Sequence, residues 1–126
     1  METPALRTYA VHARTSDVFG RVLCDARDQH YVVDGPVHNG CPGEAVTPAE
    51  LFLSGVAACG VELVQVLARS QEVPLRSVRV AIKGIQDPAH PVRPDVSLFN
   101  SVHITFTLTG VSQEQGDELI ATFRRR

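Results

Sequence analysis

The 126-residue sequence has no Trp, two Tyr, five Phe and a single Lys, Lys83. So few aromatics give little support to recognition by base stacking. A formal net charge of −2 leaves no field that would draw in nucleic acid or an anionic membrane. Long hydrophobic runs are missing too: the longest uncharged apolar stretch, Leu51 to Val61, has eleven residues. A bilayer crossing needs about 20, so no membrane span is expected. Met1 to Thr8 carries Glu2 and Arg7 and lacks an apolar signal core, which points to a cytoplasmic protein. Three cysteines (Cys24, Cys41 and Cys59) are odd in number and widely spaced, unlike a disulfide framework. No Cys-x-x-Cys pair exists, and no two of the five His stand at i, i+4, so neither a metal nor another cofactor is expected.

What is there reads as one domain over residues 1–126. Tyr9, Val11 and Ala13 alternate with Thr8, His12 and Arg14, the period-2 pattern of a half-buried strand. Further strands are expected from Phe19 to Ala26 and from Gln29 to Val33, joined by tight turns. Asp34 to Val46 is turn and loop chemistry, with Asp34-Gly35-Pro36 and Asn39-Gly40-Cys41-Pro42-Gly43. Thr47-Pro48-Ala49-Glu50 is a capping box with Pro at the first helical position, opening a helix to about Ser70. Its apolar residues fall on almost every side of the wheel, so it must be buried nearly all round. Two glycines in its interior, at about 1 kcal/mol each against Ala, argue for close approach of another backbone.

Strands return with Val78, Val80 and Ile82, and again with Val102, Ile104, Phe106 and Leu108. A loop stiffened by Pro88, Pro91 and Pro94 joins them over Gln86 to Ser97. Ser112-Gln113-Glu114-Gln115 is a second capping box, and Leu119, Ile120 and Phe123 form the core face of the last helix. The order is α+β with an antiparallel sheet and a long buried central helix. A chain this small cannot cover that helix alone, so a symmetric homodimer is expected.

The run Thr47-Pro48-Ala49-Glu50-Leu51-Phe52-Leu53-Ser54-Gly55-Val56-Ala57-Ala58-Cys59 resembles the central-helix motif of the OsmC/Ohr family, the osmotically inducible and organic hydroperoxide resistance proteins. The order of strands and helices is similar as well. The resemblance implies an intertwined homodimer and a thiol peroxidase acting on organic hydroperoxides in oxidative-stress defence. Its partners would be a small-molecule hydroperoxide and a thiol reductant. Cys59 matches the family's redox cysteine. The family's assisting Glu suggests Glu50, which a second branch carries at this position, while the hydroperoxide-resistance branch has its Glu where Ala49 stands. Aligning that branch's last Gly-Arg with Gly20-Arg21 puts Val18 where its assisting Arg would be, so Arg21 is a candidate on the residues' own pattern. The second cysteine of the family's last helix has no counterpart up to Arg126. The alternative reading is a non-catalytic ligand-binding or redox-sensing dimer.

The residues themselves set conditions. Cys59 lies more than three turns into its helix, too far for the helix N-terminus to act on it, so a reactive thiolate needs a nearby cation. Arg21 is preferred to Arg14 because it shares strand parity with Phe19 and Leu23; buried, it would need a carboxylate or thiolate partner. Glu50 should reach back to the Thr47 backbone, on the opposite side of the helix from Cys59. Glu62 is an unexpected charge one turn beyond Cys59. Cys24 reads as strand packing, and Cys41, in a Gly/Pro loop, as a candidate second thiol.

Overall fold

The computed structural model describes residues 4–95 and 99–125. The first strand, β1 (His12–Thr15), pairs antiparallel with β2 (Arg21–Ala26), His12 facing Asp25 and Thr15 facing Val22. A two-residue turn at Arg27-Asp28 then returns the chain as β3 (Gln29–Asp34), which pairs with the other edge of β2. Arg27 takes a φ of 55°, the left-handed conformation that such a turn demands. The alternation that begins at Tyr9 produces a strand only from His12 onward. The partner strand explains this: β2 ends at Ala26, one residue past the Asp25 that faces His12. Tyr9 therefore falls beyond the ladder and is exposed.

The central helix, α1 (Pro48–Ser70), starts where its capping box places it. The Thr47 N–H donates to Glu50 Oε1 at 3.0 Å and the Glu50 N–H to Thr47 Oγ1 at 3.4 Å. Just beyond its end at Ser70, Glu72 takes a φ of 54°. There the Val73 N–H donates to the Ala68 carbonyl and the Glu72 N–H to the Arg69 carbonyl, a Schellman closure. The helix runs unbroken through Glu62, so the eleven-residue count understated it. By length and composition alone it could cross a membrane. Its buried face is instead taken up by protein.

That face is Gly60, Val64, Leu67 and Ala68. It packs with Leu119 of the last helix, α2 (Gln113–Arg124), and against the strands β4 (Ser77–Ile85) and β5 (Ser101–Thr109). The two strands form a separate antiparallel pair, with Val78 opposite Leu108 and Val80 opposite Phe106. Phe106 meets Phe123 edge to face, ring centroids 5.3 Å apart. Ser112 and Gln115 complete the second capping box in both directions. The proline-stiffened loop is described to Asp95; Val96 and Ser97 lie outside the described residues. The strands thus divide into a three-stranded and a two-stranded sheet, and the chain into two compact units, up to Leu51 and from Phe52. Leu51, Phe52 and Val66 of α1 remain exposed within the single chain, as do Val102 and Ile104 of β5.

Candidate active site

Cys59 sits in the middle of α1 among small residues. A Cβ added to Gly60 would lie 3.3 Å from the Phe106 ring, so the glycine is what lets β5 approach the helix there. The backbone approach expected at the two glycines is not found: a side chain stands against Gly60, and Gly55 has open space around it. One residue and 100° around the helix from that contact, the Cys59 side chain is left exposed. Glu62, on the next turn, is exposed as well. The other thiols are less open: Cys41 is half-buried, and Cys24 is buried in β2, as its strand-packing reading requires.

Arg21 belongs to the first unit. The β2–β3 register sets it directly opposite Asp34. Its Nε donates to Asp34 Oδ1 at 2.8 Å and its Nη2 to Asp34 Oδ2 at 3.0 Å, a bidentate fork. Nη2 also donates to Glu44 Oε1 at 3.2 Å, although that carboxylate is largely exposed. Asp34 itself is fully buried. Its Oδ2 accepts two more hydrogen bonds, from the backbone N–H groups of Glu44 (2.9 Å) and Ala45 (2.8 Å). The Arg21 fork, joined by these amides, holds the Asp34 carboxyl far below the usual range for Asp. The same contacts, Asp34 first, hold the proton of Arg21 even more tightly than usual. The carboxylate partner expected of an inward Arg21 is therefore Asp34.

The loop after β3 is fastened in several places. Gly35 N–H donates to the Gly20 carbonyl, Gly43 N–H to the Gly35 carbonyl, and Asp34 N–H to the Val46 carbonyl. Cys41 fills a niche between two glycines: a Cβ on either Gly20 or Gly35 would stand 2.5 Å from its Sγ. Glu50 lies one residue before the end of the first unit. Its carboxylate is held below the usual range by the Thr47 backbone N–H first and the Thr47 hydroxyl second. The structure thus brings Arg21 together with Asp34 and Glu44, engages Glu50 with Thr47, and places Cys59 in the second unit. Asp34 and Glu44 are absent from the sequence reading of the site. The signal for Asp34 was present: counting back from the Arg27-Asp28 turn puts residue 21 against residue 34. Among the described residues, no group of three His, Cys, Asp or Glu side chains is arranged to hold a metal ion.

The Arg21–Asp34 pair makes a definite prediction for pH. Asp34 binds its proton less readily in the folded chain than at its ordinary value of 3.8, so its stabilisation is complete above about pH 4 to 5. As pH falls below that, the unfolded chain takes up a proton that the native carboxylate resists, and stability drops. Arg21 works in the opposite sense, but its share is lost only at strongly alkaline pH. Denaturant titrations should show this pair contributing evenly from pH 5 to 9 and progressively less below 4. Asp34→Asn should be less stable at pH 7 and should show a shallower decline in acid. An equally steep decline in the variant would locate the acid sensitivity elsewhere.

Among curated proteins, none matches the sequence. Solved structures do. An OsmC-like protein from Mycoplasma pneumoniae superposes with a TM-score of 0.80 at 16% identity, covering 95% of this chain and 82% of that one. An organic hydroperoxide resistance protein OsmC from Legionella pneumophila gives 0.71 at 24% identity, covering 94% and 82%. The organic hydroperoxide resistance protein OhrB of Bacillus subtilis gives 0.59 at 21%, covering 93% and 83%. At these identities the likeness is one of fold. The family profile described as OsmC-like protein matches residues 41–126, the stretch that includes the capped helix, Cys59 and both later strands. With most of its length matched in this way, the chain belongs to the OsmC-like protein family.

Proposed function

We propose that this protein is a cytoplasmic, cysteine-based peroxidase that reduces organic hydroperoxides as a single-domain homodimer. The observation that carries the reading is Cys59: a free, exposed thiol within the family-matched segment, on a helix whose capping box and small residues are intact. Two of the structural neighbours bear the name organic hydroperoxide resistance protein, which supports the substrate class.

The reaction balances with protein thiol and peroxide alone in its first half. The Cys59 thiolate attacks one peroxide oxygen; the S–O bond forms, the O–O bond breaks, and the alkoxide leaves and takes a proton to become the alcohol. The sulfenic acid then condenses with an external thiol, releasing water, and a second thiol restores Cys59 while the two external thiols become a disulfide. Arg21 serves as the donor that stabilises the developing negative charge. Glu50 fixes the start of the helix on which Cys59 is carried and is available for an ion pair with an arginine of the partner. The test is to treat the reduced protein with one equivalent of an organic hydroperoxide, trap sulfenic acid, and map the peptides. Label is expected at Cys59 ahead of Cys41 and Cys24. Equal labelling of all three would remove the peroxidase reading.

A second reading, a redox-sensing or ligand-binding dimer without turnover, draws on the charge around Arg21. One guanidinium against two carboxylates leaves that cluster net negative. Oxidation of Cys59 without sustained peroxide consumption in the presence of thiols would favour it.

A further inference from the structure

The first compact unit carries a row of ligand-type side chains apart from the Arg21–Asp34 pair. In the register of its sheet, His12 of β1 faces Asp25 of β2, and Asp25 faces His30 of β3. Residues directly opposite one another share a face, so the three stand in line across all three strands. The two-residue turn at Arg27-Asp28 makes Ala26 and Gln29 its closing hydrogen-bonded pair. Asp25 and His30 are then the next, non-hydrogen-bonded pair, with Cα atoms about 4.5 Å apart. His12 stands about 5.5 Å from Asp25 on the other side. The positions 12, 25 and 30 conceal this set along the chain, because only hairpin register brings it together.

We propose that His12, Asp25 and His30 form a binding site for a divalent transition metal such as zinc. The contact between the first two carries the argument. His12 Nδ1 lies 3.3 Å from Asp25 Oδ1. That is long for a charge-assisted hydrogen bond, which runs about 2.7–2.9 Å. Two ligands of a tetrahedral zinc, with bonds of about 2.0–2.1 Å, stand about 3.3–3.4 Å apart. His12 and Asp25 are thus already at ligand spacing. Coordination needs the lone pair on Nδ1 and the proton on Nε2, a tautomer open to a ring whose side chain is 78% exposed. The three groups are not gathered around one point as they stand. His30 is exposed, and rotation of its side chain brings a ring nitrogen over the carboxylate.

Two imidazoles and one carboxylate leave a fourth position for water. A depression of about 200 Å³ beside the row, lined in part by Arg14, Leu23, His30 and Val32, gives that water room. Arg14, opposite Leu23 on the same face, works against a dication, so the bound ion should be exchangeable. Imidazole ligands suit zinc, nickel and copper, whereas calcium and magnesium prefer all-oxygen sets. β1 has four residues, all exposed, and pairs only with β2. An ion held by His12 and His30 ties this edge strand to the opposite edge, across β2.

The test adds zinc chloride to the reduced full chain near neutral pH. The imidazole resonances of His12 and His30 should move, while those of His38, His90 and His103 stay. By calorimetry, His12→Gln, Asp25→Asn and His30→Gln should each weaken zinc binding by about 10-fold or more. Circular dichroism confirms folding, and the resonances of the unsubstituted chain decide where a variant does not fold. Amide exchange in β1 should slow when zinc is added. Cobalt(II) in place of zinc should give visible bands without the near-ultraviolet band of a thiolate ligand. Unmoved His12 and His30 resonances at about 1 mM zinc would overturn the site. Native affinity in His30→Gln would reduce the row to a pair and overturn it as well. A thiolate band that accounts for all the bound cobalt would place the ion at a cysteine, with the same consequence.

Discussion

Cys59→Ser is expected to abolish consumption of organic hydroperoxide, bringing the rate down to that of buffer plus reductant. A serine hydroxyl is not ionised near neutral pH and cannot carry the oxygen as a sulfenic acid. No other thiol should substitute for it. Cys24 lies buried in the middle strand of its sheet, and Cys41 is wedged between Gly20 and Gly35. Cys24→Ala should leave the first oxidation step unchanged. Cys41→Ser should leave it unchanged too, and a slower return to the reduced state in that variant would identify Cys41 as a second thiol. A colorimetric peroxide assay with an added dithiol reads all three variants. Substantial activity in Cys59→Ser would end the enzyme reading.

The second large effect concerns assembly. The folded protein is expected to sediment as a dimer at micromolar concentration, with no stable folded monomer. Leu51, Phe52 and Val66 of the central helix and Val102 and Ile104 of β5 are exposed in one chain. Burying even one Phe or Leu side chain is worth about 1.5–3 kcal/mol, so leaving this set in water would be a heavy cost for a domain of this size. Phe52, which stacks on Phe99 at a centroid separation of 6.2 Å, is the most exposed of the set at 63%. Phe52→Glu should shift the population to monomer or unfold the chain, because each subunit of a two-fold dimer brings one charge to the interface. Sedimentation velocity with circular dichroism separates these results. A native-like monomer in the unsubstituted protein would refute the dimer.

The helices and their starts were the most legible part of the sequence. Thr47-Pro48-Ala49-Glu50 and Ser112-Gln113-Glu114-Gln115 are local devices whose donors and acceptors lie within one turn, and both close as read. The alternation in β4 was equally plain, with Val78, Val80 and Ile82 all partly buried. β1 was over-read at its start because a strand's length is set by its partner, and the end of β2 is fixed by the Arg27-Asp28 turn. Asp34 was read as turn chemistry because Asp-Gly-Pro suits a turn. Its pairing with Arg21, thirteen residues away, follows from hairpin register and from two amides of a later loop, which no local pattern displays. Arg21 was chosen for strand parity, yet both faces of β2 are partly buried and the most buried residue is Cys24. What draws the arginine in is its cross-strand carboxylate.

The graded accessibility of the three cysteines has a use apart from redox chemistry. Cys24 lies in the first compact unit and Cys59 in the second, and neither is tied up in a bond. A thiol reagent should modify Cys59 directly from the native state, while it reaches Cys24 only when the three-stranded sheet opens. The labelling rate at Cys24 then becomes an opening clock for that sheet, read in the same sample in which Cys59 reports the reagent's intrinsic speed. Loosening of the Asp34-fastened loop, by acid or by substitution, would register first at Cys41 in its glycine niche and only later at Cys24. The chain carries a probe of local unfolding at each depth without any engineered label.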